Sequence, residues 1–354
     1  ARGVSYNSYV ILDEKVAVMD TVDKRGVEEW EGNLLKALDG RKVDYLVIQH
    51  MEPDHSGSIV RLAERFPEMT LVGNAKTFGM LAQFFDLPLE GRTLVVKEGD
   101  SLSLGSHTLN FIMAPMIHWP EVMVTYESSE KILFSADGFG KFGALGVEDE
   151  EGWACEARRY YFNIVGKYGA PVQALLKKAA GLDLACICPL HGPVLKENLE
   201  YYVNLYDIWS SYRAEDEGIF IACASIHGNT AVAAQRLAEL LRQKGVKKVV
   251  VRDLARVDMA EAVEDAFRYD RMILAAASYD GGVFPCMEEF LHHLQSKAYQ
   301  NRRVGILENG SWAPSAAKVM KGILETMKNV ELAEPVVTIR SAMKESDLPA
   351  LEKL

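Results

Sequence analysis

Apolar residues follow two different patterns along the chain, and the first pattern occupies its N-terminal half. There, short segments that are apolar or alternate between apolar and polar residues are typical of strands. They predict strands at residues 6–12, 16–22, 45–49, 70–73, 93–97, 109–114 and 122–126. Helices are predicted at residues 27–38, 56–65, 76–85, 154–181 and 197–212. This order predicts an αββα sandwich, in which two sheets pack together and helices cover them.

From residue 218 onward, strands and helices alternate. Strands are predicted at residues 219–224, 246–254, 272–277, 304–307 and 336–339. Helices are predicted at residues 230–244, 259–267, 285–294 and 315–327. Such alternation predicts a doubly wound parallel sheet. The polar run 213–218 is interpreted as a linker, which gives two domains at residues 1–213 and 218–354.

Length, charge and cysteine content narrow the class of protein. A chain of 354 residues is longer than one hydrophobic core usually supports, so two domains are expected. The net charge of −11 argues against nucleic acid as a partner, because no basic surface is available for phosphates. No apolar run approaches the roughly 20 residues that cross a membrane. Five cysteines, an odd number, indicate free thiols in a reducing cytoplasm.

Four histidines and three acidic residues lie where apolar strands end. The run His50-x-Glu52-x-Asp54-His55 follows the apolar segment 43–49, and the segments 109–115, 131–136 and 186–190 each lead to one more candidate. The full set is His50, Glu52, Asp54, His55, His118, Asp137 and His191. Strand ends converge on one rim of a sandwich, and seven donors are too many for a single tetrahedral ion. The set therefore predicts two metal ions that share a bridging carboxylate.

A different interpretation is open for single members of this set. A lone histidine after a strand is more often a hydrogen-bonded core or turn residue than a metal ligand. For His118, Asp137 and His191 taken singly such a structural role stays open, but metal binding is favoured, and more so when they are read together with the run that begins at His50. The run from His50 to His55 places four donors within six positions, which favours metal binding. The remaining histidines in strand turns or on helices are interpreted as surface residues; they are His107, His292 and His293.

Three loops of the second half are predicted to leave the carboxyl edge of its sheet, where doubly wound sheets bind ligands. Loop 225–230 offers backbone N–H groups, hydroxyls, an amide and a helix N-terminus, which suit a monophosphate, although Ser and Asn also make ordinary helix caps. Loops 278–284 and 308–314 add glycines and the rings of Tyr279 and Trp312, which suit a planar ring, although Trp312 alone is equally well explained as a half-exposed interface residue. Together the loops predict a flavin mononucleotide (FMN) site formed by Ser225, Ile226, His227, Gly228, Asn229, Thr230, Ser278, Tyr279, Asp280, Gly281, Gly282, Asn309, Gly310, Ser311, Trp312 and Ala313.

Along its whole length the chain resembles the flavodiiron proteins (A-type flavoproteins), which join a metallo-β-lactamase-like domain to a flavodoxin-like domain. The histidine and acidic residues above carry the resemblance, together with the segments 6–9, 118–120, 160–164 and 188–192. Zinc hydrolases of the same superfamily have His where Glu52 stands. An oxygen donor at that position favours a harder, redox-active ion over zinc.

The resemblance implies a role for each residue of the set. His50, Glu52 and His118 would bind one iron, Asp54, His55 and His191 the other, and Asp137 would bridge the two. The diiron centre itself would be catalytic, with no separate acid or base. Two stretches depart from the family pattern: the longer segment that the family usually carries before Tyr6 is absent, and the stretch 143–148 is several residues short.

The implied activity is reduction of dioxygen to water or of nitric oxide to nitrous oxide, with FMN returning electrons to the iron. Electrons would come from a separate rubredoxin-like protein or a reduced deazaflavin, and the implied assembly is a head-to-tail homodimer or a dimer of dimers. Two alternatives remain open from the residues alone. One is a binuclear zinc hydrolase with an attached flavodoxin domain, and the other is an electron-transfer flavoprotein without catalysis.

Overall fold

A computed structural model describes residues 3–147 and 152–354. Contacts divide the chain into two compact units, one formed by Ala1–Tyr160 with Ala170–Asp207, the other by Tyr161–Gly169 with Ile208–Leu354. The stretch 143–148, which is short compared with the family pattern, is described only in part, because Glu148 lies outside the described residues. Among the described helices, none has both the length and the apolar character that a membrane span requires.

The first sheet of the first unit is parallel except for its first pair of strands. In sheet order its strands are β1 (Tyr9–Leu12), β2 (Val16–Met19), β3 (Tyr45–Val47), β4 (Thr70–Gly73) and β5 (Thr93–Val95). Successive side chains of a strand point to opposite faces. In β2, Val16 and Val18 accordingly pack with the helices, whereas Ala17 and Met19 pack with the other sheet. This strand is buried on both faces, which explains its uninterrupted apolar sequence.

The second sheet of this unit is antiparallel except for its last pair. Its strands are β6 (Ser101–Ser103), β7 (Thr108–Met113), β8 (Met123–Glu127), β9 (Ile132–Phe134) and β10 (Cys186–Cys188). Leu109 and Phe111 of β7 share one buried cluster with Met19 of the first sheet. The two sheets therefore pack face to face, as the sequence predicts.

Helices of this part of the chain are shorter than predicted at two places. Their bounds are α1 (Val27–Leu38), α2 (Pro53–Ser56), α3 (Ile59–Arg65), α4 (Ala75–Phe84), α5 (Trp153–Tyr160), α6 (Gly169–Ala179) and α7 (Leu199–Ser210), with a 3-10 turn at Lys24–Gly26. The single helix predicted at residues 154–181 is wrong. After α5 the chain forms a π-helical turn over Tyr161–Val165, and Gly166 then takes a left-handed conformation (φ 44°) that ends it. The predicted helix 56–65 is likewise two helices, α2 and α3, separated by Gly57 and Ser58.

The second unit contains a parallel sheet with the order β12-β11-β13-β15, followed by two short strands. The strands are β11 (Asp216–Ala224), β12 (Val249–Asp253), β13 (Tyr269–Tyr279), β14 (Gly282–Val283), β15 (Arg302–Asn309), β16 (Val330–Leu332) and β17 (Val337–Ile339). The helices are α8 (Asn229–Gln243), α9 (Met259–Arg268), α10 (Pro285–Ser296), α11 (Ala316–Leu324) and α12 (Leu348–Leu351), with a 3-10 turn at Glu345–Asp347. Residues 218–224 of β11 are all buried, as expected for a strand covered on both faces.

Two details of the second unit differ from the sequence interpretation. The polar run 213–218 is not a linker throughout, because β11 begins at Asp216. The strand predicted at residues 336–339 is one of two segments that pair with β15: β16 pairs with its start and β17 with its end. The domain boundary predicted at residues 213–218 otherwise stays a prediction.

Candidate metal centre and flavin site

Strand ends and one short helix bring the seven predicted metal ligands together within the first unit. His50 follows β3, His118 lies between β7 and β8, Asp137 follows β9, and His191 follows β10. The other three ligands lie at the start of α2, which Pro53 opens as its first residue; they are Glu52, Asp54 and His55. The strand-end positions that the sequence indicates thus meet at one rim of the sandwich.

His50, Glu52, His118 and Asp137 form the first donor group. The Nε2 atoms of His50 and His118 are 3.4 Å apart, and His118 Nε2 lies 2.9 Å from Glu52 Oε2 and 3.2 Å from Asp137 Oδ2. Metal–ligand bonds of about 2.1 Å place neighbouring ligand atoms about 3.0–3.4 Å apart. The spacing of these atoms is therefore that of ligands around one ion.

Asp54, His55 and His191 form the second donor group. The Nε2 atoms of His55 and His191 are 3.1 Å apart, and Asp54 Oδ2 lies 3.3 Å from His55 Nε2 and 3.4 Å from His191 Nε2. Asp137 faces this group with its other oxygen, because Oδ1 is 3.1 Å from His55 Nε2. The two carboxylate oxygens of Asp137 are thus divided between the two groups.

Asp137 provides the test of whether cations fit this site. Its side chain is fully buried, and neither oxygen has a hydrogen-bond partner among the described residues. Asp54 Oδ1 is also buried without such a partner. The oxygens of Asp137 face imidazole nitrogens at 3.1–3.6 Å without forming a hydrogen bond. A buried carboxylate of this kind is costly unless positive charge lies beside it, on protonated imidazoles or on metal ions. One metal ion in each group would satisfy these oxygens.

Charge interactions within the site shift several pKa values. Burial would raise the pKa of Asp137, but the imidazoles of His55 and His50 hold it well below its usual value. Burial would lower the pKa of His118, but Asp137 and Glu52 raise it to about 9. The lowered pKa of Asp137 and the raised pKa of His118 favour an ionised carboxylate and a protonated imidazole at neutral pH. A metal ion binds a histidine only after displacing its proton, so metal binding at this site is expected to release protons.

Two histidines of the site are held by hydrogen bonds to residues that sequence reasoning missed. His50 Nδ1 donates to Glu121 Oε1 at 2.8 Å, and His191 Nδ1 donates to the carbonyl oxygen of Ser5 at 2.8 Å. Each bond fixes the tautomer that directs Nε2 toward the site. Glu121 directly follows the His118-Trp-Pro segment, which was the available signal for it.

The N-terminal segment supports the loop that carries His191. Asn7 Nδ2 donates to the carbonyl oxygens of Pro189 and Gly192, both at 2.8 Å, and the Tyr9 hydroxyl donates to the same Pro189 oxygen at 2.6 Å. The sequence singles out residues 6–9 without assigning them a role. In the structure they hold the backbone on both sides of a metal-site histidine.

Four histidines lie outside the donor groups, and one of them, His227, lines the cavity of the second unit. His292 is exposed and His293 is partly exposed on α10, in agreement with the predicted surface position. His107 is less exposed than predicted, because its Nδ1 donates to Asp13 at 2.7 Å.

A cavity of about 570 Å³ lies in the second unit at the carboxyl ends of β11, β13 and β15. All predicted FMN contacts except Gly228 and Gly282 line it, and three further residues, Ala277, Ser315 and Ser341, also line it. Cavities of this size are typical of cofactor sites. Ser341 was missed because it follows β17, a strand end outside the three predicted loops.

Local backbone features explain how the three loops form this cavity. Gly228 precedes α8 in a left-handed conformation (φ 91°), and its N–H donates to Ser225 Oγ at 3.1 Å. At Gly310, an added Cβ would lie 2.7 Å from Pro314 Cα. Trp312 is 89% exposed and Tyr279 is 44% exposed, and both residues line the cavity.

Comparisons with known proteins agree with the fold and the resemblance. The family model described as ODP family beta lactamase matches residues 4–192. The chain is 29% identical over 324 residues to the anaerobic nitric oxide reductase flavorubredoxin of Escherichia coli, covering 89% of this chain and 67% of that protein. The structure of rubredoxin oxygen:oxidoreductase from Desulfovibrio gigas matches with a TM-score of 0.90 and 25% identity, covering 99% of this chain and 89% of that one. The flavodiiron protein of Giardia intestinalis matches in fold with a TM-score of 0.90 and 23% identity, covering 99% and 88%. The resemblance to flavodiiron proteins is confirmed.

Proposed function

This chain belongs to the ODP β-lactamase family, and from that premise we propose that it is an oxidoreductase that reduces dioxygen to water, nitric oxide to nitrous oxide, or both. The observation that carries the proposal is the division of Asp137 between two donor groups, each spaced for one ion. The names of the Escherichia coli and Desulfovibrio gigas proteins give the two substrates, nitric oxide and oxygen.

Two iron ions per chain are the proposed metals. His50, Glu52 and His118 would hold one, Asp54, His55 and His191 the other, and Asp137 would bridge them. When bound, the iron pair supplies electrons and open positions for a diatomic molecule. The three carboxylates offset most of the charge of two ferrous ions, and the hydrogen bonds to Glu121 and Ser5 orient two of the imidazoles.

FMN is the proposed occupant of the cavity in the second unit. The N-terminus of α8 and loop 225–230 would hold its phosphate with neutral donors. Loops 278–284 and 308–314 would hold the ring, with Tyr279 and Trp312 as stacking faces. The same residues as in the sequence prediction are proposed as contacts, with Ala277, Ser315 and Ser341 added.

The proposed assembly is a head-to-tail homodimer, or a dimer of such dimers, in which the flavin of one subunit serves the irons of its partner. Electrons would reach the flavin from a separate rubredoxin-like protein or a reduced deazaflavin. The cytoplasm is the proposed compartment, because Cys186, Cys188, Cys223 and Cys286 are free thiols. A forced monomer that keeps both cofactors is expected to lose turnover, whereas full activity of the monomer would contradict the dimer.

Stopped-flow oxidation of the reduced, iron-loaded protein tests the proposed activity. Mixed with oxygen or nitric oxide in turn, the protein is expected to oxidise its flavin and consume at least one gas within the same turnover. Two zinc ions per chain with ester hydrolysis would instead indicate the hydrolase. Rapid flavin oxidation by an electron acceptor without gas consumption would indicate a simple electron carrier.

A further inference from the structure

Glu121 is a buried acid that contacts the metal-site residue His50 without belonging to either donor group. Its Oε1 accepts hydrogen bonds from His50 Nδ1 and from the backbone N–H of Met51, both at 2.8 Å. Its Oε2 has no hydrogen-bond partner among the described residues. The negative charge of Glu121 is therefore directed at one imidazole of the site.

None of the other three imidazoles donates to an acid through the ring nitrogen that faces away from the site, within the described part of the chain. Asp20 is a second buried acid close to His55, but its oxygens accept from Gln49 and from the backbone N–H of His50, not from a ring nitrogen. His191 Nδ1 donates to a neutral carbonyl, that of Ser5. His55 Nδ1 is buried without a hydrogen-bond partner, and His118 approaches carboxylates only through Nε2, within the described part of the chain. Each donor group has two imidazoles and one terminal carboxylate, and both share Asp137. The two groups thus differ in the charged hydrogen-bond acceptor, Glu121, that contacts His50 Nδ1.

An acid that accepts the proton of a ligating imidazole makes the other ring nitrogen a stronger donor and fixes the ring. A stronger, more negative ligand set stabilises the ion of higher charge. We propose that Glu121 is a positioning residue that makes the two metal positions unequal. The position of His50, Glu52 and His118 then binds iron more tightly and has the lower reduction potential of the pair. This inference rests on the iron pair proposed above.

A difference in reduction potential between the two metal positions determines which position accepts the first electron. With iron bound, the position of Asp54, His55 and His191 would accept the first electron, and the position of His50, Glu52 and His118 would accept the second. The larger the difference between the two positions, the wider the range of potential over which the half-reduced protein would persist.

The test compares Glu121→Gln with Glu127→Gln in the full-length, iron-loaded protein. At position 121 the glutamine side chain keeps the shape and an oxygen that can accept both N–H groups, but loses the charge. Glu127 is a matched control, because it is also buried and accepts backbone N–H groups from Ser129 and Glu130, in a strand turn away from the donor groups. An anaerobic redox titration followed by electron paramagnetic resonance measures the half-reduced state, and a chelator measures iron release.

In Glu121→Gln, one of the two irons is expected to bind about 10–100-fold more weakly. The comproportionation constant of the pair should fall at least ten-fold, which brings the two potentials closer by about 59 mV. Glu127→Gln should leave both values unchanged. In the unaltered protein, a chelator should remove the two irons in two phases of unequal rate.

Release of both irons in one phase, or a Glu121→Gln variant with the unaltered separation of potentials, would overturn the inference. If the unaltered protein binds two irons but Glu121→Gln changes neither iron affinity nor the separation of the two potentials, this inference alone is overturned. An unaltered protein that binds no iron pair overturns the proposed function as well.

Discussion

At the scale of single residues, Asp137 is the side chain on which the site most depends. Both of its oxygens are buried without hydrogen-bond partners among the described residues, and each faces a different donor group. The sequence predicts it as a ligand because an apolar strand leads directly to it, and the structure places it beside both donor groups. The direction in which its two oxygens point could not be predicted from spacing alone, since that depends on the rotation of one carboxylate inside the fold.

Replacing Asp137 by Asn is expected to abolish binding of both metals while leaving FMN binding intact. The neutral amide cannot bridge two cations, and the flavin cavity belongs to the other unit. Metal affinity should fall by more than about 100-fold, because a ligand is lost rather than a supporting residue. Metal analysis and flavin absorbance measure the two effects. Asp183→Asn, at an exposed acid, is the control and should retain two irons; an Asp137→Asn protein that also retains two would contradict the bridge.

Metal affinity is expected to depend on pH through His118. Since Asp137 and Glu52 raise the pKa of His118 to about 9, this imidazole carries a proton at pH 7 that a metal ion must displace. Apparent affinity should therefore rise from pH 7 toward pH 9, by up to about ten-fold per pH unit for each imidazole proton displaced, with proton release on binding. Anaerobic Co²⁺ titrations between pH 6 and 8.5 measure this slope. An affinity that becomes constant above pH 6.5 would contradict the raised pKa.

At the scale of elements, the predicted metal ligands and flavin contacts lie mostly at or just after strand ends, and the loops that follow the strands form the walls of the flavin cavity. Loop 308–314 is the clearest case in the flavin cavity. Gly310→Ala would place its Cβ 2.7 Å from Pro314 Cα and 3.0 Å from Ser278 Oγ, so the loop must move. The dissociation constant of FMN is expected to rise at least about ten-fold, equivalent to about 1.4 kcal/mol. Fluorescence titration of the flavin-free protein measures it.

Gly322 in α11 provides the matched control for this substitution. An added Cβ there meets no atom within 4 Å, and alanine favours a helix by about 1 kcal/mol. Gly322→Ala should therefore leave FMN affinity unchanged. Equal affinities of the Gly310→Ala and unaltered proteins would show that the loop does not form the flavin site.

Arg302, at the start of β15, connects this strand by hydrogen bonds to the start of β13 and to the end of α9. Its buried guanidinium donates to the carbonyl oxygens of Tyr269, Phe267 and Tyr212. Arg302→Met should lower the free energy of unfolding of this unit by about 3–5 kcal/mol, because several buried carbonyls lose their donors. Arg303→Met, at the exposed neighbour, should change it by less than about 0.5 kcal/mol. Thermal release of flavin fluorescence measures both; equal midpoints would contradict this role.

Periodicity predicted most strands and helices because their apolar faces are regular, as in β2 and β11. The prediction failed where local backbone geometry interrupts a continuing pattern. Residues 154–181 keep helical spacing, yet Gly166 adopts a left-handed conformation between α5 and α6. The residues that accept hydrogen bonds from the predicted ligands were missed for another reason. Glu121 and His50, for example, are 71 positions apart in the sequence and come together only in the folded unit.

At the scale of the whole molecule, the chain combines a metal-binding unit and a nucleotide-binding unit, each with its site at strand ends. Neither site alone explains multi-electron reduction of a gas. A metal pair holds few electrons, and a flavin can replace them between turnovers. The proposed function therefore requires both cofactors in one preparation, and removing either is expected to abolish gas reduction while the other remains bound.

Anomalous diffraction at the iron edge, from crystals of the iron-loaded protein, tests the central claim most directly. Two iron peaks per chain are expected, about 3.5–4 Å apart, one within each donor group and with Asp137 between them. A single peak, or metal bound away from His50, Asp137 and His191, would contradict a bridged iron pair as the centre of this protein's chemistry.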